Sequence, residues 1–379
     1  MKTIYFDHAA TTPVHKEVIK EMMQVLENTF GNPSSVHSEG RQARLMIEQA
    51  RESIAEVIGV KPSEIIFTSG GTEADNIALF GAAYSMREKG NHIITTEIEH
   101  SAVKEAVKEL EMEGFKVTYL SVDANGLINL EELKNALTDS TILVSIMYAN
   151  NEVGTIQPIK EIANLLKDHQ ALFHTDAVQA FGVESINVND LSVDLLSTSS
   201  HKINGPKGTG FLYVRSGVQL KPRQVGGSHE KKRRAGTENI AGIVGMGRAV
   251  QLFHGHLEEK REHLLQLKQL FLEELDQYKV NYSVNGTLDQ SVPHVLNLYF
   301  PEKKVEQMLV QLDLSGVCVS GGSACSSGSI KPSPVLVAMY SEDDPKTTHS
   351  IRFSFGMSST KEEVKEVTSI INNILNERK

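Results

Sequence analysis

Between about Ile65 and Val214 the chain repeats one pattern: a short apolar run, a turn, then a helical stretch. IIFTS leads into EADNIALFGAAYSM, and HIITTE leads into a segment with Val103, Ala106, Val107 and Leu110 at the i, i+3, i+4, i+7 spacing of one helix face. KVTYLSVD, TILVSIMYA, ALFHTDA, VDLLSTSS and GFLYV are further strand candidates. Strands separated by helices need crossovers, so neighbouring strands run parallel and helices cover both faces of the sheet. The pattern predicts an α/β fold with a mostly parallel sheet flanked by helices.

From about His254 to Gln277 the pattern becomes one long charged helix, after which VLNLYF, SGVCVSGG and SIRFSFG predict a separate small sheet. Thr360 and Glu363 form a capping box ahead of a helical stripe of Val364, Val367, Ile370, Ile371 and Ile374. The 379 residues exceed the roughly 250 to 300 at which one core stops growing. We therefore expect a large α/β domain over residues 14–255 and a smaller α+β domain made of 1–13 and 256–379.

A formal net charge of -10 argues against direct nucleic-acid binding, which needs a basic face. The basic run Lys231-Lys232-Arg233-Arg234 reads as a solvated loop. Two cysteines make no disulfide framework and fit a reducing compartment. Cys318 in GVCV reads as a buried strand residue, whereas Cys325 in SGGSACSSGS reads as an accessible thiol, its bland alternative being an inert surface cysteine. Asp7 interrupts the N-terminal apolar residues, and no apolar run approaches the ~18 residues of a membrane span. The expected location is the cytoplasm, with no membrane partner.

Ligands of an open parallel sheet bind beyond the carboxyl ends of its strands. SGGTEADN turns a strand into a helix through Gly70 and Gly71, offering backbone N–H groups and the Thr72 hydroxyl to an anion of phosphate size, or else serving only as a tight turn. His100 in EHSAV precedes a helix that Ser101 is expected to cap. Asn150 and Asn151 follow a strand, where amides either orient a polar substrate or serve turn chemistry. Asp176 ends a strand, with Gln179 three residues on; a buried acid there needs a positive partner, such as an arginine or a protonated ring nitrogen. His254 and His256 are a weak metal signal near the long helix. In SSHKINGPKG, Lys202 follows the strand directly with Ser199 and His201 beside it, while Lys207 lies beyond Gly205-Pro206 in a turn. A lysine buried at a strand end is costly as an ammonium but suited to a Schiff base. A phosphate-binding turn, an acid for a ring nitrogen and a strand-end lysine are together what pyridoxal phosphate requires.

With these residues in place the sequence closely resembles the cysteine desulfurases of the NifS/IscS type, class V aminotransferase-type enzymes of the fold-type I pyridoxal phosphate group. The likeness runs nearly end to end through DHAATTP, FGNPSSVHSEGR, SGGTEADN, EHSAV, NNEVG, HTDAVQ, SSHKINGPKG, RAGTEN, SGGSACSSGS and SIRFSFG. It implies that Lys202 holds the cofactor as a Schiff base and moves protons, that Asp176 pairs the ring nitrogen, that Gln179 bonds the 3-hydroxyl, and that His100 stacks on the ring. Gly71, Thr72, Ser199, Ser200 and His201 would form the phosphate and ring-side pocket. Asn151 would lie beside the substrate, and Arg352 would clamp its carboxylate. Thr237 would reach the phosphate of a second subunit, implying a homodimer.

The resemblance makes Cys325 the nucleophile that takes sulfur from L-cysteine as a persulfide, leaving L-alanine. It also implies a secondary use of Cys325 as a transient iron–sulfur ligand shared with a scaffold. The sulfur acceptor would be an iron–sulfur scaffold or a tRNA-thiolating enzyme; the chain stops at Lys379, short of the tail with which longer relatives dock a scaffold. The rival on the same fold is a selenocysteine lyase or a class V aminotransferase, and a simple aminotransferase needs no mobile thiol. A non-catalytic scaffold protein would be expected to have lost at least one of Lys202, Asp176, His100, Cys325 and Arg352.

Overall fold

The computed structural model describes residues 3–321 and 332–376. Its strands are β1 (Ile4–Tyr5), β2 (Ile65–Thr68), β3 (His92–Thr96), β4 (Lys116–Leu120), β5 (Thr141–Ser145), β6 (Leu172–Asp176), β7 (Leu195–Ser199), β8 (Gly210–Val214), β9 (Ser283–Val284), β10 (Val295–Tyr299), β11 (Val317–Cys318) and β12 (Ser350–Ser354). Among the described residues, seven of them form one sheet in the order β2-β8-β7-β6-β5-β3-β4. β8 runs antiparallel to β2 and β7, and the other pairings are parallel. The reversal at β8 follows from its short link, residues 200–209, which turns through Asn204 and Gly208 at φ of 61° and 75°. That link carries Lys202.

The sheet is sealed by helices whose sequence matches what they bury. Gly71–Met86 lies with Ala74, Ile77, Ala78, Leu79, Phe80, Ala82 and Ala83 buried, a nearly continuous apolar run, while Ser101–Met112 buries one stripe, Val103, Ala106, Val107 and Leu110. β2, β3, β5, β6 and β7 share one direction, so their carboxyl ends, the segments after Thr68, Thr96, Ser145, Asp176 and Ser199, meet along one edge.

A three-stranded antiparallel sheet, β12-β10-β9, stands apart from the first. Its register sets Asn297 opposite Arg352. SGVCVSGG was expected in this sheet; β11 instead pairs in parallel with β1, and bridges from Ser320 to Arg352 and from Asp7 to Ser354 tie that pair to β12. Cys318 is a strand residue there, but half-buried rather than buried, because β1 and β11 are a two-stranded ribbon with few neighbours. Phe271 packs on Phe353 and Phe355 at centroid distances of 4.7 and 5.9 Å, fixing the long helix against β12. That helix spans Leu257–Gln277 and not His254–Gln277: His254 ends the preceding helix and the chain breaks at Gly255. The capping box forms, with Thr360 N–H donating to Glu363 Oε2 at 3.0 Å and Glu363 N–H to Thr360 Oγ1 at 3.2 Å.

Candidate active site

A cavity of about 360 Å³ opens at the carboxyl edge of the large sheet. Gly71, Thr72, His100, Asn151, Asp176, Gln179, Ser199, His201, Lys202 and Arg352 all line it, so residues scattered over 280 positions are brought together by strand ends. Ser200 is fully buried behind the wall and packs on Gly205, where a Cβ would meet its Oγ at 2.0 Å. Thr237 is exposed and lies off this wall. Cys325 lies outside the described residues.

Lys202 closes the single turn Ser200–Lys202 that follows β7. Its Nζ donates to Ala10 O at 2.8 Å and to Ala9 O, so the DHAATTP segment holds the free amine through backbone carbonyls. Burial, and then the Arg352 charge, pull its pKa down to about 8. At the end of β6, Asp176 accepts the Val178 N–H at 2.9 Å. Burial pushes its carboxyl up, opposed by His100, that N–H and Lys202.

Gln179 is pinned from two sides. Its Nε2 donates to Ala9 O at 3.0 Å, and its Oε1 lies 3.1 Å from His294 Nε2. Because the Ala9 carbonyl can only accept, the amide nitrogen belongs there, and His294 must be the Nε2–H tautomer. His100, not Ser101, caps Ser101–Met112: its Nδ1 accepts the Ala102 N–H at 3.2 Å. That bond fixes Nδ1 as an acceptor and leaves the proton of a neutral ring on Nε2. Arg352 donates to Asn151 O at 2.8 Å and pairs with Asp7 at 2.9 Å, while its Nε is buried without a hydrogen-bond partner.

The phosphate-sized turn has the geometry its glycines suggested. Gly70 sits at φ 152°, and a Cβ on Gly71 would come within 2.8 Å of Val178 Cγ2, so both positions need glycine. The first turn of Gly71–Met86, whose N–H groups have no intrahelical acceptor, is thus part of the cavity wall. Glu73 pairs with Arg234 at 2.7 Å, so the basic run is only half solvated: Lys231 and Lys232 are exposed, while Arg233 and Arg234 are partly covered and bonded.

Sequence reasoning missed Ala9, Ala10, Asp75, Met147 and Ser320 on the wall. Carbonyls leave no side-chain signature. Asp75 did leave one, an acid four residues after Gly71 and therefore on the same helix face.

This donor set fits pyridoxal phosphate: a helix N-terminus for a phosphate, a buried acid for a ring nitrogen, an amide for a ring hydroxyl, and a lysine whose amine is accessible near neutral pH.

Comparison with known proteins agrees. The aminotransferase class-V family matches residues 4–367. An IscS 1 protein of Bacillus subtilis (strain 168) is 53% identical over 365 residues, 96% of each chain. The cysteine desulfurase IscS of Dictyoglomus turgidum is 47% identical, covering 99% of this chain and 95% of its own. A solved NifS-like protein superposes with a TM-score of 0.92 at 39% identity, covering 98% of this chain and 99% of that one. SspA, solved in complex with cysteine, superposes at 0.84 with 38% identity over 94% of this chain and 100% of its own. The chain belongs to the aminotransferase class-V family, among the cysteine desulfurases of the NifS/IscS type, and is a pyridoxal phosphate-dependent enzyme.

Proposed function

We propose that the protein takes the sulfur of L-cysteine onto Cys325 as a persulfide and releases L-alanine. The observation that carries this reading is the convergence of Lys202, Asp176, His100 and Arg352 on one cavity whose wall includes Ser320, five residues before Cys325.

Pyridoxal phosphate, when bound, supplies an electron sink for the substrate. Lys202 would hold it and move protons, for which an amine with a pKa of about 8 is well matched to neutral pH. Asp176 would pair with the ring nitrogen and Gln179 would bond the 3-hydroxyl. Gly71, Thr72, Ser199, Ser200 and His201 would hold the phosphate and ring edge. His100 would face the ring and exchange protons through Nε2. Asn151 and Arg352 orient the substrate carboxylate, Arg352 by a charge-assisted bond. The Cys325 thiolate attacks the substrate sulfur; the S–S bond forms as the Cβ–S bond breaks, and the three-carbon remainder takes up protons to leave as L-alanine.

The same proposal includes a homodimer in which Thr237 reaches the second subunit's phosphate site. Phe30, Val36 and Val225, exposed by 85, 88 and 82%, support it as apolar side chains that an interface would cover. It also includes the division into 14–255 and 1–13 with 256–379, supported by the separate sheets. A cytoplasmic location and a protein acceptor, either an iron–sulfur scaffold or a tRNA-thiolating enzyme, complete it. The net charge of -10 favours a protein over direct nucleic-acid contact.

The test is alanine release from L-cysteine with a reductant, with selenocysteine in parallel. Cys325→Ser is expected to abolish turnover of cysteine and to keep the yellow colour of the bound cofactor. Normal turnover by that variant would refute the persulfide route, and turnover confined to selenocysteine would make the enzyme a lyase of that substrate.

A further inference from the structure

One acid on the cavity wall has no place in the roles above. Asp75, on the helix Gly71–Met86, is 1% exposed, and among the described residues only the Ser197 hydroxyl and the His174 ring come near its carboxylate as donors. β6 faces it with the Asp176 carboxylate and with His174, whose Nε2 is 3.5 Å from Asp75 Oδ1. β7 contributes the Ser197 hydroxyl, and the segment before Ser101 contributes Glu99 and His100. One polar atom each of Asp75, His100 and Asp176 lies within 4.8 Å of the other two.

Nothing on Asp75's own side neutralises a negative charge. His174 is fully buried between two hydroxyls, Ser145 Oγ at 2.8 Å and Ser197 Oγ at 3.0 Å, and burial pulls its pKa to about 3, so its ring is neutral. Glu99, pushed up to about 8 by burial, adds no cation. Two carboxylates this near each other and this buried oppose each other's ionisation. They are also unequal: Asp176 accepts the Val178 N–H and feels the Lys202 charge, whereas Asp75 has only the Ser197 hydroxyl as a donor beside it. The proton therefore resides on Asp75.

We propose that Asp75 is a positioning residue that stays a carboxylic acid and shares its proton with Asp176, so that the pair presents a single negative charge to the cofactor's ring nitrogen. This rests on the reading that Asp176 faces that nitrogen. Hydrogen bonds of catalytic groups are commonly long before the ligand is in place, and the two carboxyl groups lie within 4.8 Å of each other.

The experiment compares Asp75→Asn, which keeps a neutral donor of the same size, with Asp75→Leu, which keeps the size and loses the donor, and with Asp176→Asn. Each is titrated with pyridoxal phosphate, and the absorbance of the bound cofactor is followed against pH. Asp75→Asn is expected within about threefold of the wild-type dissociation constant, with the same spectral midpoint. Asp75→Leu is expected to bind roughly ten- to a hundredfold more weakly, the loss of one hydrogen bond to a charged group, with a displaced midpoint. In the infrared, wild-type holoenzyme should show a carboxylic-acid C=O band that Asp75→Asn lacks. Loss of binding in Asp75→Asn, absence of that band, or wild-type behaviour of Asp75→Leu overturns the proposal. If Asp176→Asn also binds normally, the reading of Asp176 fails and this one with it; if Asp176→Asn is impaired while Asp75→Leu is not, only the role of Asp75 fails.

Discussion

The carboxyl edge of the large sheet and the helix Leu257–Gln277 each bury a lysine whose pKa is pulled to about 8, Lys202 in the first and Lys260 in the second. Burial is the leading cause in both. What differs is the company. Lys202 faces a cavity of about 360 Å³ with Asp176, His100 and Arg352 on its wall. Lys260 donates to Gly182 O at 2.8 Å and is absent from that wall; it borders a void of about 20 Å³ beside His8 and His294, which Lys202 also touches and which has room for about one water and no cofactor. A depressed pKa records desolvation; a site needs room and convergent chemistry as well.

Lys202→Ala should sharpen the contrast most. We expect turnover to fall by at least about 10⁴-fold, because one group both carries the cofactor and moves protons. Borohydride reduction of wild-type holoenzyme followed by peptide mapping should place the adduct on Lys202. An adduct on Lys260 or Lys207 would erase the distinction. A smaller effect comes from pH. Since only the free amine captures the cofactor, the capture rate of apoenzyme should rise about tenfold per pH unit below about 8 and level off above it, far below the ordinary lysine value of 10.5. A plateau reached only near 10.5 would show that Lys202 is not desolvated.

The comparison also shows how far the sequence can be read. The strand-end lysine, the acid after β6 and the glycine pair before a helix were legible because strand and helix periods place them at one sheet edge whatever the details. The His100 cap was not, because serine is the favoured cap and histidine is not among the preferred residues. Ala9 and Ala10 act through carbonyls that any residue would supply. Asp75 was hidden by Glu73 beside it, since acids at the start of a helix are expected from the dipole alone. The helix break at Gly255 was masked by His254 and His256 on either side, which carry the polar pattern of the following helix back across it. Lys260 carried no signal either, since a lysine in a charged helix reads as solvated until packing buries it.

Lys260 offers the smallest and cleanest test. A lysine with pKa about 8 folded and 10.5 unfolded binds fewer protons in the native state between those values, so stability rises with pH across that window and the penalty is full below pH 8. The difference corresponds to about 3 kcal/mol at most. Lys260→Met should flatten the slope of unfolding free energy from pH 8 to 10 relative to wild type, both measured as holoenzyme so that any contribution of Lys202 is common to the two. Lys268, also pulled to about 8 and bonded to Ser291 Oγ at 2.9 Å, and Lys104, pulled down by its burial, keep a slope of the same sign in the variant. The slope is the quantity to read, because the substitution also leaves Gly182 O without its donor, a loss independent of pH that opposes the relief of the buried charge. An unchanged slope would mean that Lys260 keeps an ordinary pKa, and the two lysines would then differ in burial as well as in company.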